Sequence, residues 1–129
     1  MGTEVSRVLA SCGLLEVSQR LALYRRGREA DVGGTPAADP ALSLPKVADA
    51  MRTFFGRLSD PATLPEFRRL HVPLVKAEAS ARVLAALADA YGEVHEALVD
   101  PGSGYPAAEV AAAVRHTPAQ VRTLLGVGA

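Results

Sequence analysis

The chain has 129 residues, which is enough for one ordinary domain and too few for two. It contains 24 alanines, 16 leucines and 14 valines, lacks isoleucine, tryptophan and asparagine, and has only 5% aromatic residues. Alanine and leucine are strong helix formers, and few residues that favour strands remain. The composition therefore argues against a β-sandwich or barrel and predicts a helical domain.

The charges are balanced, with 14 basic and 14 acidic residues, which argues against a nucleic-acid partner. The single cysteine, Cys12, excludes an intramolecular disulfide and a cysteine-based metal site. No apolar run approaches the roughly 20 residues that a membrane span needs, and no secretory signal is visible. We therefore expect the protein to work in a reducing compartment that faces the cytosol.

The first half of the chain predicts two helical regions separated by a loop. Residues 3–25 have helical periodicity, interrupted by Cys12-Gly13 with either a kink or a junction between two helices. Residues 26–44 are rich in glycine and proline, which predicts a long mobile loop with little to bury. A helix then begins at Pro45, with Ser43 as its candidate cap, and ends at Ser59-Asp60-Pro61.

The second half predicts further helices, the longest over residues 74–99. A short helix over 62–70 precedes it, and an alanine-rich helix over 106–115 follows a turn cluster at 100–104. The last helix has Thr117 as its cap and Gln120 three residues later, which is a capping-box arrangement. Gly126 is expected to end that helix.

Apolar residues at helical spacing predict a common core for these helices. The stripes on the helices from 45 and from 74 should be buried together, and the last helix should add its own apolar face. Phe55→Ala is then expected to lower the free energy of unfolding by about 3–5 kcal/mol. The predicted core residues are Phe54, Phe55, Leu84, Leu87, Tyr91, Val94, Leu98, Val121 and Leu124.

No arrangement of residues in the sequence points to catalysis. His71, His95 and His116 lie on separate segments and lack the spacing of a zinc site. Cys12 has no activating partner in sequence and is interpreted as a small buried residue. A phosphate-binding loop, a nucleophile elbow and an acid–base pair are also missing. We therefore expect no enzymatic activity, no catalytic or metal-binding residue and no cofactor.

Two arginine clusters are candidate contacts for an acidic partner or for anionic lipid headgroups. One cluster ends the first helical region, where cations also favour the helix dipole, and the other lies on the short middle helix. The alternative interpretation is a solvated helix face, the ordinary environment of charged side chains. The candidate residues are Arg20, Arg25, Arg26, Arg28, Arg68 and Arg69.

Residues 106–125 leave a second function open. A short helix, a tight turn and a capped helix resemble a helix-turn-helix, so this part could be a small DNA-binding or regulatory module. Gln120, Arg122 and Thr123 would then offer the base or phosphate contacts. Arg122 and Arg115 are the cations of this helix pair, which is few for phosphate binding.

Several runs of residues carry a family resemblance, from about residue 9 to residue 125. The runs are Cys12-Gly13-Leu14, Leu58-Ser59-Asp60-Pro61, Ala90-Tyr91-Gly92-Glu93-Val94, Asp100-Pro101 with Tyr105, and His116-Thr117-Pro118-Ala119-Gln120-Val121-Arg122-Thr123-Leu124-Leu125. Together they resemble the C-terminal region of subunit 6 of the conserved oligomeric Golgi complex.

The resemblance implies an all-α, five- to six-helix bundle like the C-terminal bundle of a multisubunit tethering-complex subunit. It also implies that residues 1–129 are a single helical domain and the C-terminal part of a longer subunit. The implied role is non-enzymatic, in vesicle tethering during intra-Golgi retrograde protein transport. The implied partners are other subunits of the complex, Golgi SNAREs, small GTPases and coiled-coil tethers. The implied location is the cytosolic face of the Golgi membrane, with peripheral attachment through the complex.

Overall fold

The computed structural model describes residues 3–29, 34–59 and 75–127, with side chains described over 5–26, 34–59 and 82–127. These residues form α-helices and three single-turn 3-10 helices and contain no strand, which confirms the all-α helical bundle. The predicted helix over 62–70 lies outside the described residues. The α-helices are α1 (Thr3–Ser11), α2 (Leu14–Glu29), α3 (Leu44–Ser59), α4 (Val75–Val99), α5 (Ala107–Ala113) and α6 (Pro118–Leu125).

The interruption at Cys12-Gly13 is a junction between two helices. Gly13 has a φ of 79°, in the left-handed region that glycine adopts without strain. The Cys12 N–H donates to the Leu9 carbonyl at 3.3 Å, and the Gly13 N–H donates to the Ala10 carbonyl at 3.1 Å. These bonds satisfy two of the last carbonyls of α1, and α2 packs against α1.

The structure corrects the predicted loop over residues 26–44. Residues 26–29 continue α2, and two 3-10 turns, Pro36–Ala38 and Pro40–Leu42, follow before α3. Leu42 is completely buried, so this stretch contributes to the core although its glycines and prolines suggested that it had little to bury. The physical reason is a tertiary hydrogen bond: the Tyr105 hydroxyl donates to the Leu42 carbonyl at 2.6 Å.

Helix α4 is the longest described helix and lies against α1, α2 and α6, while α3 lies against α2, α5 and α6. The 3.6-residue period of α4 turns one apolar stripe towards these neighbours. The ring of Tyr91 in that stripe stacks on Phe54 of α3, with centroids 5.5 Å apart. The two stripes therefore meet. The predicted core residues that the structure buries are Phe54, Leu84, Leu87, Tyr91, Val94, Leu98 and Val121.

Two of the predicted core residues, Phe55 and Leu124, are only partly buried. Successive residues of a helix are rotated by about 100°, so that burying Phe54 turns Phe55 towards the edge of the core. The same geometry buries Leu125, which is 1% exposed, in place of Leu124. Phe55 instead stacks on the ring of His116, with centroids 3.6 Å apart and planes 4° from parallel.

The start of α6 has the predicted capping box. The Thr117 hydroxyl accepts a hydrogen bond from the Gln120 N–H at 3.2 Å, and the Gln120 side-chain oxygen accepts one from the Thr117 N–H at 2.8 Å. Gly126, with a φ of 69°, ends the helix in the left-handed conformation. Both ends of α6 are therefore where the sequence predicts them.

None of the helices in the described part of the chain is long and apolar enough to cross a membrane.

Candidate functional site

The histidines and the cysteine are the side chains best suited to metal binding or nucleophilic chemistry. In the three described stretches no group of histidine, cysteine and acidic side chains is placed to hold a metal ion. Burial lowers the pKa of His95. Burial also raises the pKa of the Cys12 thiol, which disfavours the reactive thiolate. His71 lies outside the described residues.

The first arginine cluster has three side chains in the described part of the chain, and its candidate role as a partner or lipid contact stays a prediction. Arg20 contacts Glu16 at 3.6 Å and Asp39 at 3.4 Å, so that its guanidinium holds α2 to the turn before α3. Arg25 and Arg26 are exposed near the end of α2. The side chains of Arg28, Arg68 and Arg69 lie outside the described residues, so that their candidate role stays a prediction.

Asp39 is the centre of the polar contacts between α2 and the 3-10 turns. One carboxylate oxygen accepts from the Ala41 N–H at 2.9 Å, and the other accepts from the Tyr24 hydroxyl at 2.9 Å. These two hydrogen bonds, together with the Arg20 cation, hold the pKa of Asp39 below its ordinary value. The cluster holds the segment that carries Leu42 into the core.

The groups proposed for DNA contact in α6 make contacts within the chain. Gln120 forms half of the capping box, and the Thr123 hydroxyl donates to the Ala119 carbonyl at 3.0 Å. Arg122 contacts the Asp89 carboxylate of α4 at 3.4 Å. These contacts hold α6 in place, and the helix-turn-helix interpretation stays a prediction.

Two of the motifs that carry the family resemblance pack against each other. The Tyr91 hydroxyl donates to the His116 carbonyl at 2.6 Å, which joins α4 to the residue before the α6 cap. At the next residue of α4, a Cβ on Gly92 would lie 4.0 Å from Cβ of Pro118. The Tyr-Gly-Glu-Val and Thr-Pro motifs therefore define one helix–helix contact.

An open groove of about 520 Å³ lies beside this contact, between α4 and α6. Its apolar surface comes from Ala88, Gly92, Val99 and Pro118. Its charged and polar edge comes from Asp89, Glu93, His95, Glu96 and Arg122. The volume falls within the range of about 300–1,000 Å³ that is typical of binding sites. The groove is therefore a candidate binding site among the described residues.

A smaller cavity of about 170 Å³ lies between α4 and α2 and shares Glu96 with the groove. Arg25, Glu96, Asp100 and Ser103 contribute its polar lining. The Ser103 hydroxyl is completely buried and has no hydrogen-bond partner within the described stretches. This volume lies below the usual range for a ligand site, so the cavity is a less suitable binding site than the groove.

The groove was not predicted from the sequence. The only indication of it there is the spacing of Asp89, Glu93 and Glu96, which puts three carboxylates on one face of α4. The groove itself exists only because α6 packs alongside that face, a pairing of segments about 30 residues apart in the chain.

The comparisons with known proteins agree with the resemblance. The model of a family described as "Conserved Oligomeric Golgi complex subunit 6, C-terminal" matches residues 1–125. The Arabidopsis thaliana protein named Conserved oligomeric Golgi complex subunit 6 is 34% identical over 126 residues, which cover 96% of this chain and 17% of that protein. The protein of the same name from Cryptococcus neoformans var. neoformans serotype D strain JEC21 is 32% identical over 125 residues, which cover 95% of this chain and 16% of that protein.

The chain spans about one sixth of the length of these curated relatives. No solved structure matches it. The family match covers nearly the whole chain and includes both motifs of the α4–α6 contact. The resemblance is thereby confirmed, and the chain belongs to the family of the C-terminal region of conserved oligomeric Golgi complex subunit 6.

Proposed function

We propose that this chain is the C-terminal region of a non-enzymatic subunit of the conserved oligomeric Golgi complex. Its role is to bind other proteins during vesicle tethering in intra-Golgi retrograde transport. The observation that carries the proposal is the family match over residues 1–125. The names of the relatives from Arabidopsis and Cryptococcus support the same assignment.

The proposed partners are the other subunits of the complex, together with Golgi SNAREs, small GTPases and coiled-coil tethers. The proposed location is the cytosolic face of the Golgi membrane, with attachment through the complex. A binding role is supported by the surface of the bundle, which has an open groove between α4 and α6.

A chimera tests the proposal. The matching C-terminal segment of the Arabidopsis subunit is replaced by this chain, and the chimera is expressed in plants that lack the subunit. Co-purification of the other subunits and location at the Golgi are measured. The controls are the intact Arabidopsis subunit and a truncated subunit that lacks the segment. We expect the chimera to behave like the intact subunit and the truncated form to lose partners.

Two outcomes would contradict the proposal. A chimera that loses the same partners as the truncated form would show that this chain does not supply the function of the segment. A truncated subunit that retains every partner and its Golgi location would show that the segment is not a binding region. A core variant of the chimera, Leu87→Asp, tests whether partner binding needs the folded bundle, because Leu87 is completely buried.

A further inference from the structure

The outer face of α4 carries an acidic edge along the α4–α6 groove. Asp89, Glu93 and Glu96 follow one another at helical spacing and all line the groove. Asp89 contacts Arg122 across the groove at 3.4 Å. Glu93 and Glu96 form no ion pair with any residue of the described stretches and are exposed. The groove therefore presents two carboxylates to a molecule that approaches from solvent.

The same groove exposes apolar surface at one end. Val99 is 54% exposed, and it is one of two large hydrophobic side chains of the described residues that are so exposed. Gly92 adds no side chain to the groove, and a Cβ there would lie 4.0 Å from Cβ of Pro118. A ligand that fits this surface needs apolar groups beside Gly92 and Val99, and positive groups for the edge.

We propose that the α4–α6 groove binds a basic amphipathic segment of a partner protein. Its apolar side chains cover Gly92 and Val99, and its lysines or arginines pair with Glu93 and Glu96. Helices that lay an apolar face into a groove are a recurrent mode of recognition, and complementary charges at the rim select the partner. The inference rests on the groove alone and not on the proposed membership of the complex. Either of the two can therefore fail while the other holds.

Fluorescence anisotropy with the full 129-residue chain tests the proposal. The probe is a labelled synthetic helical peptide with leucines on one face and lysines on the other. The matched peptide has glutamates in place of the lysines. We expect the lysine peptide to bind more tightly than the glutamate peptide, and the difference to shrink as salt screens the charges. Shifts of the backbone amide signals of Gly92 and Val99 in NMR spectra should place the peptide in the groove.

Charge-neutral variants separate the groove from the rest of the surface. Glu93→Gln with Glu96→Gln should weaken binding of the lysine peptide by about fivefold for each carboxylate, from the Coulomb energy of an ion pair in water. The matched control is Glu16→Gln with Glu109→Gln, which removes two exposed carboxylates from α2 and α5. The control should bind within about twofold of the wild type. Circular dichroism checks that each variant keeps its helices.

Val99→Ser tests the apolar part, because an exposed side chain can be shortened without disturbing the core. We expect weaker binding of the lysine peptide and an unchanged dependence on salt. Equal affinity for both peptides, or equal weakening by the groove and control variants, would overturn the proposal. Sedimentation measurements test whether a second copy of the chain occupies the groove instead. A dimer that Val99→Ser dissociates would show that it does, and this result would also overturn the proposal.

Discussion

The phenylalanine pair of α3 shows how one residue of displacement changes the environment of a side chain. Phe54 is completely buried and stacks on Tyr91, whereas Phe55 is partly buried and stacks on His116. The two rings therefore contribute different amounts to stability. Phe54 contributes mainly through buried area, and Phe55 contributes through a ring contact at the edge of the core.

Replacement of each ring by alanine should lower the free energy of unfolding by a different amount. Phe54→Ala should lower the free energy of unfolding by about 3–5 kcal/mol, because it leaves a cavity in the core. Phe55→Ala should cost about 1–2 kcal/mol, less than the roughly 3–5 kcal/mol expected from the sequence, since the ring is partly solvated and an aromatic pair adds about 1 kcal/mol. Urea denaturation of both variants measures the difference. Equal costs would mean that Phe55 is as much a core residue as Phe54.

At the scale of single elements, α6 is determined by its ends. Thr117 and Gln120 satisfy two N–H groups that would otherwise lack partners, and Gly126 ends the helix. The helix has only eight residues, so its own hydrogen bonds could not hold it in water. The caps and the packing against α4 therefore stabilise it together.

Removal of the Thr117 hydroxyl tests the cap. Thr117→Ala should lower the free energy of unfolding by about 1 kcal/mol, the usual cost of losing a side-chain cap. Thr123→Ala is the matched control, because its exposed hydroxyl bonds a carbonyl within α6 and alanine is the better helix former. That control should change stability by less than about 0.5 kcal/mol in either direction. Thermal denaturation compares the two, and a larger cost at Thr123 would contradict this account.

The junction between α1 and α2 gives a second test at this scale. Gly13→Ala should cost about 1–2 kcal/mol, because an L residue is strained at a φ of 79° although no atom obstructs the new Cβ. Gly56→Ala in α3 is the counterpart: it also meets no neighbour, and alanine should stabilise the helix by about 0.5–1 kcal/mol. Urea denaturation measures whether each substitution lowers or raises the free energy of unfolding. Destabilisation by both changes would show that free space at the Cβ does not decide the outcome.

On the scale of the whole molecule, residues far apart in the chain hold the segment before α3 in place. Asp39 receives hydrogen bonds from Tyr24 of α2 and from Ala41, and Tyr105 bonds the Leu42 carbonyl from beyond α4. Burial raises the pKa of Tyr105 to about 12, so its hydroxyl remains a donor throughout the neutral range. A stretch rich in proline thereby becomes part of the core.

The lowered pKa of Asp39 predicts a dependence of stability on pH. The ionised carboxylate stabilises the folded state above its ordinary pKa, about 3.9, and that contribution is lost as the pH falls through the lower pKa of the folded state. Asp39→Asn should therefore lower the melting temperature at neutral pH, with a gap to wild type that narrows in acid. Asp49→Asn, which loses an exposed ion pair within α3, should change little at neutral pH. If the difference in melting temperature between wild type and Asp39→Asn stays constant down to about pH 3, the lowered pKa of Asp39 does not contribute to stability.

The sequence by itself determined the helical class, an interruption at Cys12-Gly13, the long helix of α4 and both ends of α6. Those features depend on interactions within a few residues, such as helix periodicity, a capping box and the left-handed preference of glycine. The motifs of the family resemblance were readable for the same reason. They are continuous runs of residues, and the family match bears them out.

Only the tertiary structure decided how segments that are distant in the chain pack against one another. The orientation of each helix in the bundle decided that Phe54 and Leu125 face the core while Phe55 and Leu124 lie at its edge. The Tyr105 bond to the Leu42 carbonyl drew a predicted loop into the core. The acidic spacing on α4 became one side of a groove because α6 packs beside it. Periodicity along one helix cannot specify these pairings, because they depend on which faces of separate helices meet.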